Sequence, residues 1–78
     1  MKSLINVYTK RKVDIEERAS NKQVRYLMLL CKEAENDFPF TCSKEATMHL
    51  DKMTVYRSIK QLQKGYKLVF IIPDSLNG

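Results

Sequence analysis

Val24, Leu27, Met28, Cys31 and Ala34 recur at three- and four-residue intervals. That spacing places them on one helix face and predicts a first helix over 21–36. Leu29 and Leu30 widen the stripe, which predicts burial on more than one side. Ser20 or Asn21 can cap its start, because a short polar side chain accepts from the free N–H groups of a first turn. Asn36-Asp37 and Pro39 end it, since Pro39 disfavours helical geometry at Phe38. A second, short helix over 43–49 follows, with Thr41 or Ser43 as its cap and Glu45 in its first turn, where a negative charge suits the dipole. Val55, Ile59 and Leu62 then mark the inner stripe of a third helix over 52–64. Asp51 caps it, and Gly65 is its left-handed stop.

Between and around these helices the pattern changes. Ser3-Leu4-Ile5-Asn6-Val7-Tyr8 is rich in strand formers, with Ile5 and Val7 in alternation. The segment 1–20 is therefore expected to be a strand or an arm, with a helical turn near Val13 to Glu17, and either it or the 21–36 helix is a candidate dimer contact. Phe38-Pro39-Phe40-Thr41 reads as an extended link whose aromatics cover one end of the core. Tyr66 to Ile72 is an apolar run closed by Pro73, which predicts a strand over 66–72, and Asp74 to Gly78 is turn-like. The fold class expected is mainly α with a small β element, in one domain over 21–78 preceded by the 1–20 segment.

Composition narrows the class. A 78-residue chain buries only about 60% of its unfolded surface, so its core is small. Hydrophobic residues at 44% and charged residues at 29% fit a globular domain. No apolar run reaches the ~18 residues of a membrane span, and no cationic, apolar and small-residue succession marks a signal peptide. A cytoplasmic protein is the expectation. Cys31, Cys42 and His49 are too few, and wrongly spaced, for a usual zinc site. Cys31 falls on the apolar stripe and reads as a small buried hydrophobe. No metal, cofactor or small-molecule substrate is implied. No glycine-rich phosphate loop, carboxylate pair or nucleophile–base constellation points to an enzyme.

Charge changes the picture more. Before Lys52 the chain carries nine cations and eight anions. From Lys52 to Pro73 there are five cations (Lys52, Arg57, Lys60, Lys64, Lys67) and no anion. With Asp74 included, this segment holds four of the five net positive charges. An amphipathic helix that gathers a small protein's surplus charge is a candidate for contact with a polyanion. Lys10-Arg11-Lys12 is a second cation run, read as a solvated cluster offset by Glu16 and Glu17 in preference to an arm that reaches a minor groove or a flanking phosphate.

Thr54-Val55-Tyr56-Arg57-Ser58-Ile59, Leu62, Gly65 and Tyr66, preceded by Leu50 in a turn and Asp51 as cap, resemble winged helix-turn-helix domains with nearly the same spacing. Ser43 to Met48 resembles their second helix. The resemblance spans about 21–72 and is tight over 50–66. It implies a three-helix winged helix-turn-helix with a short or incomplete wing, of small prokaryotic, phage or plasmid type. His49 stands where such domains usually have glycine, and histidine tolerates left-handed geometry better than most residues. The second wing strand is missing, and Asn77-Gly78 is a hairpin signal with no returning strand. Three readings follow: a chain that continues, a vestigial wing, or a missing strand supplied by Leu4 to Tyr8.

The function implied is sequence-specific binding of double-stranded DNA by a small transcriptional regulator, with helix 52–64 in the major groove. Met53, Thr54, Arg57 and Gln61 are the expected base readers. Arg57 can donate twice to a guanine and Gln61 can pair in two places with an adenine. Ser43, Lys44, Lys52, Tyr56, Ser58, Lys60, Lys64 and Lys67 are the expected phosphate contacts, which set affinity and register. A homodimer on a two-fold site is the expected form. The alternatives are the DNA-binding module of a replication initiator or excision factor, and a winged-helix module for protein–protein interaction.

Overall fold

A computed structural model describes residues 3–73 of the chain. In order these form β1 (Leu4–Tyr8), a 3₁₀ turn (Ile15–Glu17), α1 (Asn21–Glu33), α2 (Ser43–Ala46), α3 (Lys52–Gln63) and β2 (Lys67–Ile71). The domain is thus three helices and a two-stranded sheet. The hairpin signal at Asn77-Gly78 lies outside the described residues.

Local chemistry explains the starts of the two long helices. Ser20 Oγ accepts from the Gln23 N–H at 3.1 Å. Asp51 Oδ1 accepts from the Thr54 N–H at 3.2 Å. Each satisfies a donor that a first turn leaves free. Cys42, rather than Thr41 or Ser43, is the N-cap residue of α2, and its side chain makes no capping bond.

Both long helices also end alike. At α3, the Gly65 N–H donates to Leu62 O and the Tyr66 N–H to Gln61 O, both at 3.0 Å, with Gly65 at φ 92°. At α1, the Glu35 N–H donates to Lys32 O at 3.2 Å and the Asn36 N–H to Cys31 O at 2.7 Å. Each is a Schellman motif, but at α1 the left-handed position is filled by Glu35, at φ 55°. This is why α1 stops at Glu33 and not at 36.

The two strands pair in parallel, Leu4 opposite Lys67 through Tyr8 opposite Ile71. A parallel pair needs a crossover, and here the crossover is the whole helical region. The strand supplied by Leu4 to Tyr8 is therefore present, but as the parallel neighbour of β2. Asn36, although buried, is satisfied: its Nδ2 donates to Leu68 O at 3.1 Å and its Oδ1 accepts from the Leu68 N–H at 2.7 Å. One side chain thus occupies the outer edge of β2 at Leu68 as a strand would.

The core lies between α1, α3 and the sheet. Val24, Leu27 and Cys31 of α1 meet Val55 and Leu62 of α3, with Val7, Ala46, Leu50 and Leu68 closing it. Phe38 packs edge-on against Phe40 and Phe70, at ring centroid distances of 5.9 and 5.2 Å. Burial pushes the Cys31 thiol up to about 11, so it is an unreactive hydrophobe. Cys42 is exposed.

Candidate nucleic-acid interface

The expected stripe Val55, Ile59 and Leu62 is only part of what α3 turns inward. Val55 and Leu62 are buried, Ile59 is half-buried, and Ser58 is buried with them. The Ser58 hydroxyl donates to Thr54 O at 2.7 Å, which satisfies it inside the helix. Ser58 is therefore turned away from any surface phosphate. The inward face is rotated toward β1, and the outward face rotates with it.

Met53, Tyr56, Arg57, Lys60 and Lys64 remain exposed on that outward face, Met53 at 56% and Tyr56 at 52%. The Lys60 ammonium lies 5.4 Å from the centre of the Tyr56 ring, a cation–π contact that holds both side chains over the helix. Lys52 is exposed at the helix start and Lys67 on β2. Among the described residues the one ion pair is Lys10 with Asp51. None of the five cations from Lys52 to Lys67 is neutralised by a carboxylate there.

Thr54 and Gln61 are placed differently. Both are half-buried, on the flank of α3 that faces β1. With Arg57 and Ser58 they line one wall of a groove of about 260 Å³, and Ile5, Asn6, Val7 and Tyr8 line the other. The Gln61 Oε1 is buried there without a hydrogen-bond partner. Ser43 and Lys44 lie apart from this helix, on α2. That helix has only four residues, so little dipole accumulates at its start.

The segment before α1 proves to be a brace for the turn that delivers α3. The Lys10 N–H donates to His49 O and the Val13 N–H to Met48 O, both at 2.9 Å, and the Ala19 N–H donates to Leu50 O at 3.2 Å. His49 does not take left-handed geometry; Glu35 is the one described non-glycine residue that does. Instead its ring stacks on Phe40 at 5.2 Å, and its Nδ1 lies 3.0 Å from both Lys10 O and Arg11 O. A ring N–H there can donate to both carbonyls, a contact that a glycine could not make.

That brace carries the second cation run to the third helix. The Lys10 ammonium reaches Asp51 Oδ2 at 3.6 Å, at the first turn of α3. Partial burial raises the Asp51 pKa, but the bond from Thr54 and the charge of Lys10 outweigh it and hold the carboxyl below its ordinary value. Arg11 and Lys12 are exposed beside the turn. No ion pair joins the run to Glu16 or Glu17 among the described residues. Sequence spacing could not have placed these cations, because backbone bonds across some forty positions do so.

The class these features define is a small domain of three helices and a parallel two-stranded sheet, which presents one basic helix on a braced turn. No helix among the described residues is long and apolar enough to cross a membrane. A scan against protein-family models found no match, and neither did searches of curated proteins and of solved structures.

Proposed function

We propose that the chain binds double-stranded DNA as a small transcriptional regulator of winged helix-turn-helix type, with the outward face of α3 in the major groove. The observation that carries this is the concentration of unpaired cations on one face of a capped helix: Arg57, Lys60 and Lys64, with Lys52 at its start. Arg57 reads a base edge, with Met53 beside it for apolar contact. Lys52, Lys60, Lys64 and Lys67 hold phosphates. Tyr56 orients Lys60 and offers its hydroxyl to the backbone. Arg11 and Lys12 join the phosphate contacts, and Thr54 and Gln61 act only at the margin, where their groove opens.

Affinity that comes from phosphate contacts falls as salt rises, because each neutralised phosphate releases a counterion. With four to six contacts, the slope of log affinity against log salt is expected to be about −4 to −5. A titration of a labelled duplex by fluorescence anisotropy measures it. A flat salt response, or no binding at low salt, overturns the proposal.

A further inference from the structure

We propose that β1 is a self-association edge, at which two copies of the chain pair antiparallel along Leu4–Tyr8 about a two-fold axis at Asn6. The pairing would join two two-stranded sheets into one of four strands. It rests on strand geometry alone and does not depend on nucleic-acid binding.

The direction of the backbone groups comes first. The Lys67 N–H donates to Ser3 O and the Thr9 N–H to Ile71 O. With the parallel register, these bonds turn the N–H and C=O of Ile5 and Val7 toward β2. The same groups of Leu4, Asn6 and Tyr8 therefore point away from β2. Beyond Tyr8 that edge is closed, since the Lys10 N–H is taken by His49 O. The other edge of the sheet is occupied at Leu68 by the Asn36 amide. The groove between β1 and α3 is lined by no residue of β2, so it opens along this free edge.

A free edge invites a strand, and the pattern of this one selects a copy of itself. An isologous contact requires a surface complementary to itself. Around Asn6 the strand is symmetric: Leu4 and Tyr8 are exposed at 66% and 64%, and Ile5 and Val7 face the core. With Asn6 opposite the partner's Asn6, Leu4 falls opposite the partner's Tyr8. Every outward N–H and C=O then finds a partner, and two exposed apolar pairs cover each other. No charged residue lies between Ser3 and Thr9, so the paired segments themselves carry no charge in a chain of net charge +5. The incoming strand runs beside Thr54 and Gln61 and withdraws both from the DNA face. Arg57 lines the same groove, while Met53, Lys60 and Lys64 lie outside it.

Sedimentation equilibrium of the full chain over a range of concentrations is expected to show monomers and dimers. Asn6→Lys or Asn6→Glu places like charges across the axis and should each weaken association about fivefold or more. An equimolar mixture of the two should recover it as a heterodimer. Independently of any variant, hydrogen exchange at the Asn6 and Tyr8 amides should slow as protein concentration rises. A wild-type chain that stays monomeric, single variants that dimerise like wild type, or exchange that ignores concentration would each overturn the edge. The result is separate from duplex binding, which a monomeric variant can be tested for directly.

Discussion

The two long helices are built alike inside and differ outside. Both α1 and α3 bury three residues at helical spacing, Val24, Leu27 and Cys31 against Val55, Ser58 and Leu62. Both start on a side-chain cap and end in a Schellman motif. Their outward faces have little in common. On α1, Lys22, Arg25 and Lys32 are interrupted by exposed Leu29 and joined by Glu33. On α3, Arg57, Lys60 and Lys64 follow one another with no acid among them. The inward halves and the ends carry the fold, and the outward halves are free to carry a partner. Changes inside either helix should therefore act on stability alike, and changes outside should act on binding and only at α3.

The largest effect is expected inside. Leu27 is fully buried between the two helices. Leu27→Ala should cost about 2–5 kcal/mol, a large share of the ~5–15 kcal/mol that holds a domain. Urea unfolding measures this through the midpoint. Duplex affinity per folded molecule should be unchanged. A loss of affinity larger than the unfolded fraction explains would mean that α1 contributes more than support.

The outward halves are compared by one pair of arginines. Arg57→Ala should lose about 1–3 kcal/mol of duplex binding and relax preference at one base position. Arg25→Ala, an exposed arginine on α1, should change affinity little in the same assay. Equal losses would erase the difference between the faces and leave only a general attraction to net charge.

The starts of the helices give the next effect. Asp51→Ala removes the cap of α3 and should cost about 0.5–2 kcal/mol. The Lys10 pair adds little, because that ammonium is largely solvated. The Asp51 pKa in the fold lies below the ordinary value of 3.8. Below that value the unfolded chain takes up a proton before the fold does, so the carboxylate's contribution is whole above about pH 4 and fades on acidification. Unfolding curves at several pH values should show wild type and variant converging as the pH falls through this range. A gap that stays constant would place the cost in packing and not in the charged cap.

How far each helix could be read in advance follows from where its signals sit. The ends of α3 were legible because Asp51 and Gly65 each act on the nearest turn. The end of α1 was not, since Glu35 takes a conformation that sequence assigns to glycine. The orientation of α3 was read only coarsely: Val55 and Leu62 were placed, while Ser58 and Gln61 were expected outside. Their burial depends on β1, which arrives from the far end of the chain by a parallel pairing with no local turn to announce it. His49 likewise has its reason in Phe40 and the Lys10-Arg11 carbonyls, remote in sequence. The outward cations needed no such knowledge, because charge on an exposed helix face is visible from spacing alone.

The ends of the two helices set the sharpest test. Gly65 and Glu35 occupy the same position of the same motif, at φ 92° and 55°. A Cβ added at Gly65 would meet nothing within 4 Å, so Gly65→Ala carries no steric clash. Its cost should be the left-handed conformation alone, about 1–2 kcal/mol. Glu35→Gly is the reverse substitution and should stabilise by up to about 1 kcal/mol, less because glycine also loosens the unfolded chain. Urea unfolding of both variants and of the double variant decides it. The two positions share no partner, so their effects should add. A Glu35→Gly variant that is destabilised would show that the glutamate makes a contribution beyond backbone geometry, and the likeness of the two helix ends would stop at their hydrogen bonds.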